Sequence, residues 1–168
     1  EGYIVVAPDL LSGSAPNGGG TAELGTTSAA RKAIGELPPD QITADLKACL
    51  EYGKKLPASN GKAAVAGFCW GGSQTFRFAT NEKDIEVAFV FYGTAPDDKE
   101  ALSRISAPIY GFYAENDARV NATLEQTKKA MKSLRKHYQP RIFEGGGHGF
   151  MRAGIAPDAS EGNKMARQ

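Results

Sequence analysis

Six residues, Gly67-Phe68-Cys69-Trp70-Gly71-Gly72, constrain the fold of this chain more than any other stretch. They follow an apolar, strand-like run from Ala63 to Phe68 and precede a segment, Ser73 to Thr80, that can form a helix. A strand that turns into a helix through glycine, any residue, a nucleophile, any residue and glycine makes a sharp elbow. The central residue is held in a strained backbone conformation, and the glycines let neighbouring backbone approach where a Cβ would collide. Most such elbows carry serine at the tip. Here it is Cys69.

The rest of the pattern agrees with a strand–helix alternation. Strands are expected at Tyr3–Ala7, Ala63–Phe68, Val87–Tyr92, Pro108–Tyr113 and Pro140–Phe143. They are short, apolar and without clean alternation, as parallel strands covered on both faces are. Ile42, Leu46, Cys49, Leu50 and Leu56 recur at helical spacing after Pro38-Pro39, which makes Cys49 a small core residue. Leu124, Thr127, Met131 and Leu134 do the same, with Asn121 placed to cap and basic residues gathered towards the C-terminal end. The fold class is therefore α/β, with a mostly parallel sheet flanked by helices. Leu11 to Leu37, rich in Gly, Ser, Thr and Ala, reads as an irregular excursion over the surface near the site. Its Gly18-Gly19-Gly20 run lacks the Gly-Lys-Ser/Thr of a phosphate-binding loop.

Length and charge narrow the function. At 168 residues the chain suits one domain with a sizeable core, residues 1–168. A net charge of +1 gives no electrostatic reason to expect nucleic acid or an anionic membrane as partner, and no apolar stretch has the length of a membrane span. The two cysteines make neither a disulfide framework nor a zinc spacing, so no metal is implied.

A thiol needs help to attack near neutral pH, because a free cysteine has a pKa of about 8.5. The helix that follows the elbow favours the thiolate through its positive end, and a histidine oriented by a carboxylate can take the proton. Of the two histidines, His137 ends an amphipathic basic helix and reads as solvated. His148, in Glu144-Gly145-Gly146-Gly147-His148-Gly149-Phe150, follows the last strand, at the sheet end where α/β folds keep their sites. The acid should fall between nucleophile and histidine in the chain. Asp117, just past the strand Pro108–Tyr113, meets that order; Glu115 competes, and Asp97 and Asp98 follow an earlier strand.

With these residues in view, the chain resembles the dienelactone hydrolase (carboxymethylenebutenolidase) family of α/β-hydrolases. Gly2-Tyr3-Ile4-Val5-Val6-Ala7-Pro8-Asp9-Leu10, Asp45-Leu46, Ser59-Asn60-Gly61-Lys62, the cysteine elbow, Phe91-Tyr92-Gly93, Asn116-Asp117 and Gly147-His148-Gly149-Phe150 carry the likeness in family order. The resemblance implies a triad of Cys69 as nucleophile, His148 as base and then acid, and Asp117 to orient it. It also implies hydrolysis of a small lactone or ester through an acyl-enzyme, with the backbone N–H of Trp70 as one oxyanion donor. Arg152 matches an arginine that holds the substrate carboxylate; Arg31 is the candidate for a second, and Tyr92 for a substrate contact. No cofactor is implied.

The same resemblance places strands, a helix and the second oxyanion donor ahead of Tyr3, and reads Ala159 to Gln168 as the beginning of a closing helix. The expectation is an incomplete hydrolase domain with half an oxyanion hole, a loss worth about a hundredfold to a thousandfold in rate. A broader carboxylesterase or thioesterase, or a domain that only binds a small acid or a protein, is the alternative. The expected partner is a small ester, on a monomer or weak homo-oligomer, and a working thiolate suits the reducing cytoplasm.

Overall fold

In a computed structural model the chain is described over residues 2–168, and it divides into two compact units, Glu1–Gly61 and Lys62–Gln168. In the first, helices α1 (Thr27–Glu36) and α2 (Pro39–Lys55) follow two short 3₁₀ turns, Pro16–Gly18 and Thr21–Leu24. The second holds strands β1 (Ala64–Phe68), β2 (Val87–Phe91), β3 (Ile109–Asn116) and β4 (Tyr138–Gly147). Its helices are α3 (Trp70–Asn81), α4 (Lys99–Ser103), α5 (Ala118–Ser133), α6 (Phe150–Ala153) and α7 (Glu161–Arg167).

In the first unit the expected strand Tyr3–Ala7 does not form. Tyr3 is 90% and Val5 83% exposed, and neither lies in a ladder. A run of apolar residues sets the preference for a strand, but the strand exists only where a neighbour takes up its backbone N–H and C=O groups. The excursion after Leu11 is also more ordered than expected. Asp9 gathers it, accepting from the Leu11 and Thr21 N–H groups at 3.0 and 2.8 Å and from the Thr21 hydroxyl at 2.6 Å. These bonds, the Thr21 hydroxyl first, hold the Asp9 carboxyl below its ordinary range. Thr26 then caps α1 by accepting from the Ala29 N–H at 3.1 Å. Composition read as loop concealed a helix whose alanines favour it. Helix α2 starts on Pro39, after the Pro38 break, with Asp40 in its first turn and Lys54 and Lys55 in its last, each charge opposing the nearer helix pole.

The second unit is a four-stranded sheet in the order β1-β2-β3-β4, parallel throughout. Its strands alternate with helices, so the chain always returns to the same end, and every strand's carboxyl end opens on one rim. Ala88, Val90, Ile109, Phe76, Val120 and Met131 are buried between the sheet and its helices. Central strand β3 runs to Asn116 and β4 to Gly147, both longer than the apolar runs suggested. Near the rim the β3–β4 ladder shifts: Ala114 stands opposite Phe143, but Asn116 stands opposite Gly147. Between these pairs β3 has one residue, Glu115, and β4 has three, 144–146, so β4 carries two extra residues.

Candidate active site

The elbow at the end of β1 is built as its glycines require. Cys69 has φ 54° and ψ −119°, a conformation that L-residues reach at a cost of roughly 1–3 kcal/mol. Its N–H donates to the Phe91 carbonyl at 3.1 Å, which ties the tip to the end of β2. A Cβ on Gly67 would lie 2.1 Å from the Gly71 carbonyl oxygen, so the tight return of strand into helix admits only glycine there. Helix α3 starts at Trp70, one residue past the tip, so the Trp70 N–H is among the first-turn donors that helix geometry leaves without an intrahelical acceptor.

Asp117 follows β3 directly. It, rather than Asn121, caps α5: its Oδ1 accepts the Val120 N–H at 3.3 Å, and the helix starts at Ala118. Asn121 lies inside the first turn, where its side-chain amide donates to the Ala114 and Glu115 carbonyls at 2.9 and 3.0 Å. That leaves Asp117 Oδ2 for the imidazole of His148, whose Nδ1 lies 2.5 Å away. A carboxylate can only accept, so Nδ1 carries the proton and the neutral ring presents Nε2 as an acceptor. Cys69 Sγ lies 3.1 Å from that nitrogen. The acid side chain is 6% exposed and the imidazole 37%, so the relay is shielded at one end and open at the other.

The competing residues are employed elsewhere. Glu115 accepts the Gly145 N–H at 2.8 Å, Asp98 caps α4 through the Glu100 N–H at 2.8 Å, and Asp97 lines a surface groove of about 420 Å³ between α4 and α5. His137 is exposed at the amino end of β4, the opposite rim of the sheet. Arg31 is an exposed residue of α1 in the first unit. Tyr92 departs from its expected role: at 2% exposure it offers almost no surface to a ligand. Its ring instead lies 5.1 Å from the His148 ring and 5.2 Å from Phe150, forming a wall against the imidazole. Burial, with the nearby Cys69 second, raises its phenol to about 12 although the Met151 N–H and Arg152 pull the other way, so it stays a neutral wall.

The electrostatics at the sulfur combine burial with three side-chain charges. Burial pushes the Cys69 thiol above its ordinary range; Arg152 pulls it down, Asp117 pushes it up, and Arg119 pulls it down. The net direction is upward. Arg119 is the residue the sequence reading passed over. It is exposed on the first turn of α5, two residues past Asp117, and its position became legible only once Asp117 was seen to start that helix. Among the described residues neither Arg119 nor Arg152 forms an ion pair. Among them, too, no three His, Cys, Asp or Glu side chains are grouped to hold a metal ion, and no helix is long and apolar enough to cross a membrane.

Known proteins share this architecture. A Methylorubrum extorquens protein provisionally named carboxymethylenebutenolidase is 25% identical over 160 residues, spanning 89% of this chain and 54% of its own length. The human carboxymethylenebutenolidase homolog is 25% identical over 155 residues, 90% of this chain and 60% of that one. The chain thus spans little more than half the length of the curated relatives it matches. A provisional dienelactone hydrolase structure from Klebsiella pneumoniae superposes with a TM-score of 0.71 at 19% identity, covering 84% of this chain and 63% of that one, a likeness of fold. The sequence model of the dienelactone hydrolase family matches residues 1–167, and the chain belongs to that family of α/β-hydrolases.

Proposed function

We propose that this protein hydrolyses a small carboxylic ester or lactone through Cys69, His148 and Asp117. The observation that carries the reading is the unbroken line from Sγ to Nε2 at 3.1 Å and from Nδ1 to Oδ2 at 2.5 Å. Family membership supports it. That one family match runs through residues 1–167 also supports reading the chain as a single hydrolase domain.

In this reading the thiol proton passes to His148 Nε2 as sulfur attacks the substrate carbonyl carbon. Asp117 stabilises the imidazolium, and the Trp70 N–H donates to the oxygen that becomes negative. Collapse of the tetrahedral intermediate breaks the carbon–oxygen bond, and the imidazolium returns its proton to the leaving alkoxide. Water, deprotonated by the same nitrogen, then cleaves the thioester and restores the thiol. Arg152 and Arg119, whose charges both act on the thiol and which form no ion pair among the described residues, support a substrate that carries a carboxylate.

The test is turnover of a panel of small esters and lactones with and without a free carboxylate, by the wild type and by Cys69→Ala. Mass spectrometry of the wild type in the first turnover should find the acyl group on Cys69. Full activity in the alanine variant, or an acyl group elsewhere, sinks the reading. Equal rates for charged and neutral substrates would leave the triad standing and move the protein to the broader carboxylesterases.

A further inference from the structure

The three β4 residues 144–146, opposite the single Glu115 of β3, raise a question of register. Beyond Phe143 this backbone is no longer opposite β3, and the ladder closes again only at Gly147, directly before His148. Something other than the sheet must fix how far the imidazole stands from Asp117. Two side chains bind this stretch. Glu115 Oε2 accepts the Gly145 N–H at 2.8 Å, and Asn163 Oδ1 accepts the Gly147 N–H at 2.8 Å. Asn163 is itself held, since its N–H donates to the Ser160 cap of α7 at 3.3 Å.

Helix α7 is shaped to lie there. A Cβ on Gly162 would stand 2.1 Å from the Gly145 carbonyl oxygen, so helix and loop touch backbone to backbone. One turn on, Ala166 is 4% exposed and packs in a cluster with Tyr92, Ala114 and Phe150, the first of which walls the imidazole. Gly162, Asn163 and Ala166 therefore meet Gly145, Gly147 and Gly146 in turn.

We propose that Asn163 and Glu115 are positioning residues for His148, setting the length of the bulge before it by accepting the Gly147 and Gly145 N–H groups. The inference rests on the reading of Cys69, His148 and Asp117 as a relay, and it gives α7 a function in that relay beyond covering the sheet. The chemistry asked of each residue is one acceptor oxygen, with no need of charge, so Glu115→Gln and Asn163→Asp keep the function while Glu115→Ala and Asn163→Ala lose it.

The experiment compares these four variants with the wild type by three readouts: steady-state kinetics on a small ester, the rate of Cys69 alkylation against pH, and the low-field proton resonance of the His148–Asp117 bond. The alanine variants should lose roughly 10- to 100-fold in kcat with KM changed less than about twofold, as small misplacements of a catalytic group do. Their low-field resonance should shift or vanish, and their alkylation profile should move, while Glu115→Gln and Asn163→Asp return to within about threefold of wild type. Glu115 is exposed, so its variants decide the matter even if Asn163→Ala unfolds. Folded alanine variants with the wild-type resonance and alkylation profile would overturn the proposal. Should Cys69→Ala keep full turnover, the hydrolytic reading fails, yet the resonance still decides whether these two side chains hold the ring.

Discussion

Asn116 and Gly147 stand opposite each other across the β3–β4 ladder, so the next residues, Asp117 and His148, leave the sheet side by side. At the other pair of strands Phe68 faces Phe91, and Cys69 and Tyr92 leave together in the same way. The parallel ladder thus delivers Asp117, His148, Cys69 and Tyr92 to one rim. Each arrives one residue beyond its strand, and the Cys69 and Tyr92 N–H groups still donate to the Phe91 and Phe112 carbonyls of the neighbouring strands at 3.1 and 2.8 Å.

Asp117 has two separable duties, and substitution can divide them. Its Oδ1 caps α5 while Oδ2 holds the imidazole. Asp117→Asn retains an oxygen to cap but presents the wrong partner to Nδ1, so kcat should fall by about 10³- to 10⁴-fold with little change in melting temperature. Asp117→Ala should lose activity to a similar extent and also about 1 kcal/mol of stability, the usual cost of a lost cap. Equal melting temperatures for the two variants would show that the cap is idle.

The pH dependence of the thiol has a definite sign. Burial raises its pKa while Arg152 and Arg119 lower it, with Arg152 the stronger of the two. Alkylation of wild-type Cys69 should therefore rise at a pH above that of an ordinary cysteine. Arg152→Ala should move the midpoint further up, and Arg119→Ala should move it up by less. A downward shift in either variant would contradict the placement of these charges.

Much of this site was legible in the sequence, because it depends on local geometry that residues announce. The elbow needs Gly67, and the apolar runs Pro108–Tyr113 and Pro140–Phe143 place Asp117 and His148 just past two strands, although both strands run three or four residues further than those runs. What was not legible depends on partners. Tyr3–Ala7 has a strand's composition, but strands are made by neighbours, and composition does not supply one. Tyr92 was assigned to the substrate because it sits in a site motif, while its burial is decided by Phe150 and Ala166, which come from distant stretches. Helix α1 hid in small residues that serve loops and helices alike. Arg119 escaped for a reason of register, since a cap misplaced at Asn121 leaves the first turn of α5 unrecognised.

Strain at the elbow can be read from stability alone. Alanine at position 69 keeps the Cβ that φ 54° penalises, whereas glycine removes it. Both variants lack the proposed nucleophile and should be inactive, but Cys69→Gly should be more stable than Cys69→Ala by about 1 kcal/mol in urea unfolding, in spite of glycine's greater entropy when unfolded. The usual order, with alanine the more stable, would mean that the elbow is relaxed.

A last prediction concerns the alkaline limit of the fold. Tyr113 and Tyr138 share a hydroxyl–hydroxyl bond of 2.8 Å, with Tyr113 1% exposed. Burial raises Tyr113 to about 12 even though its bond to Tyr138 lowers it; burial, with Tyr113 as neighbour, raises Tyr138 further. Both hold their protons to higher pH in the folded chain than in the unfolded one, where each is lost near pH 10. Deprotonation therefore favours the unfolded state: the stability held below pH 10 should drain away as pH rises towards 12, by roughly 2–3 kcal/mol for Tyr113 alone. Tyrosinate absorbance should then appear together with the loss of helix signal, and Tyr138→Phe should flatten the alkaline slope by removing one of the two titrating groups. Absorbance that rises well before the helix signal falls would mean that the pair ionises within the folded protein, and the assigned burial would be wrong.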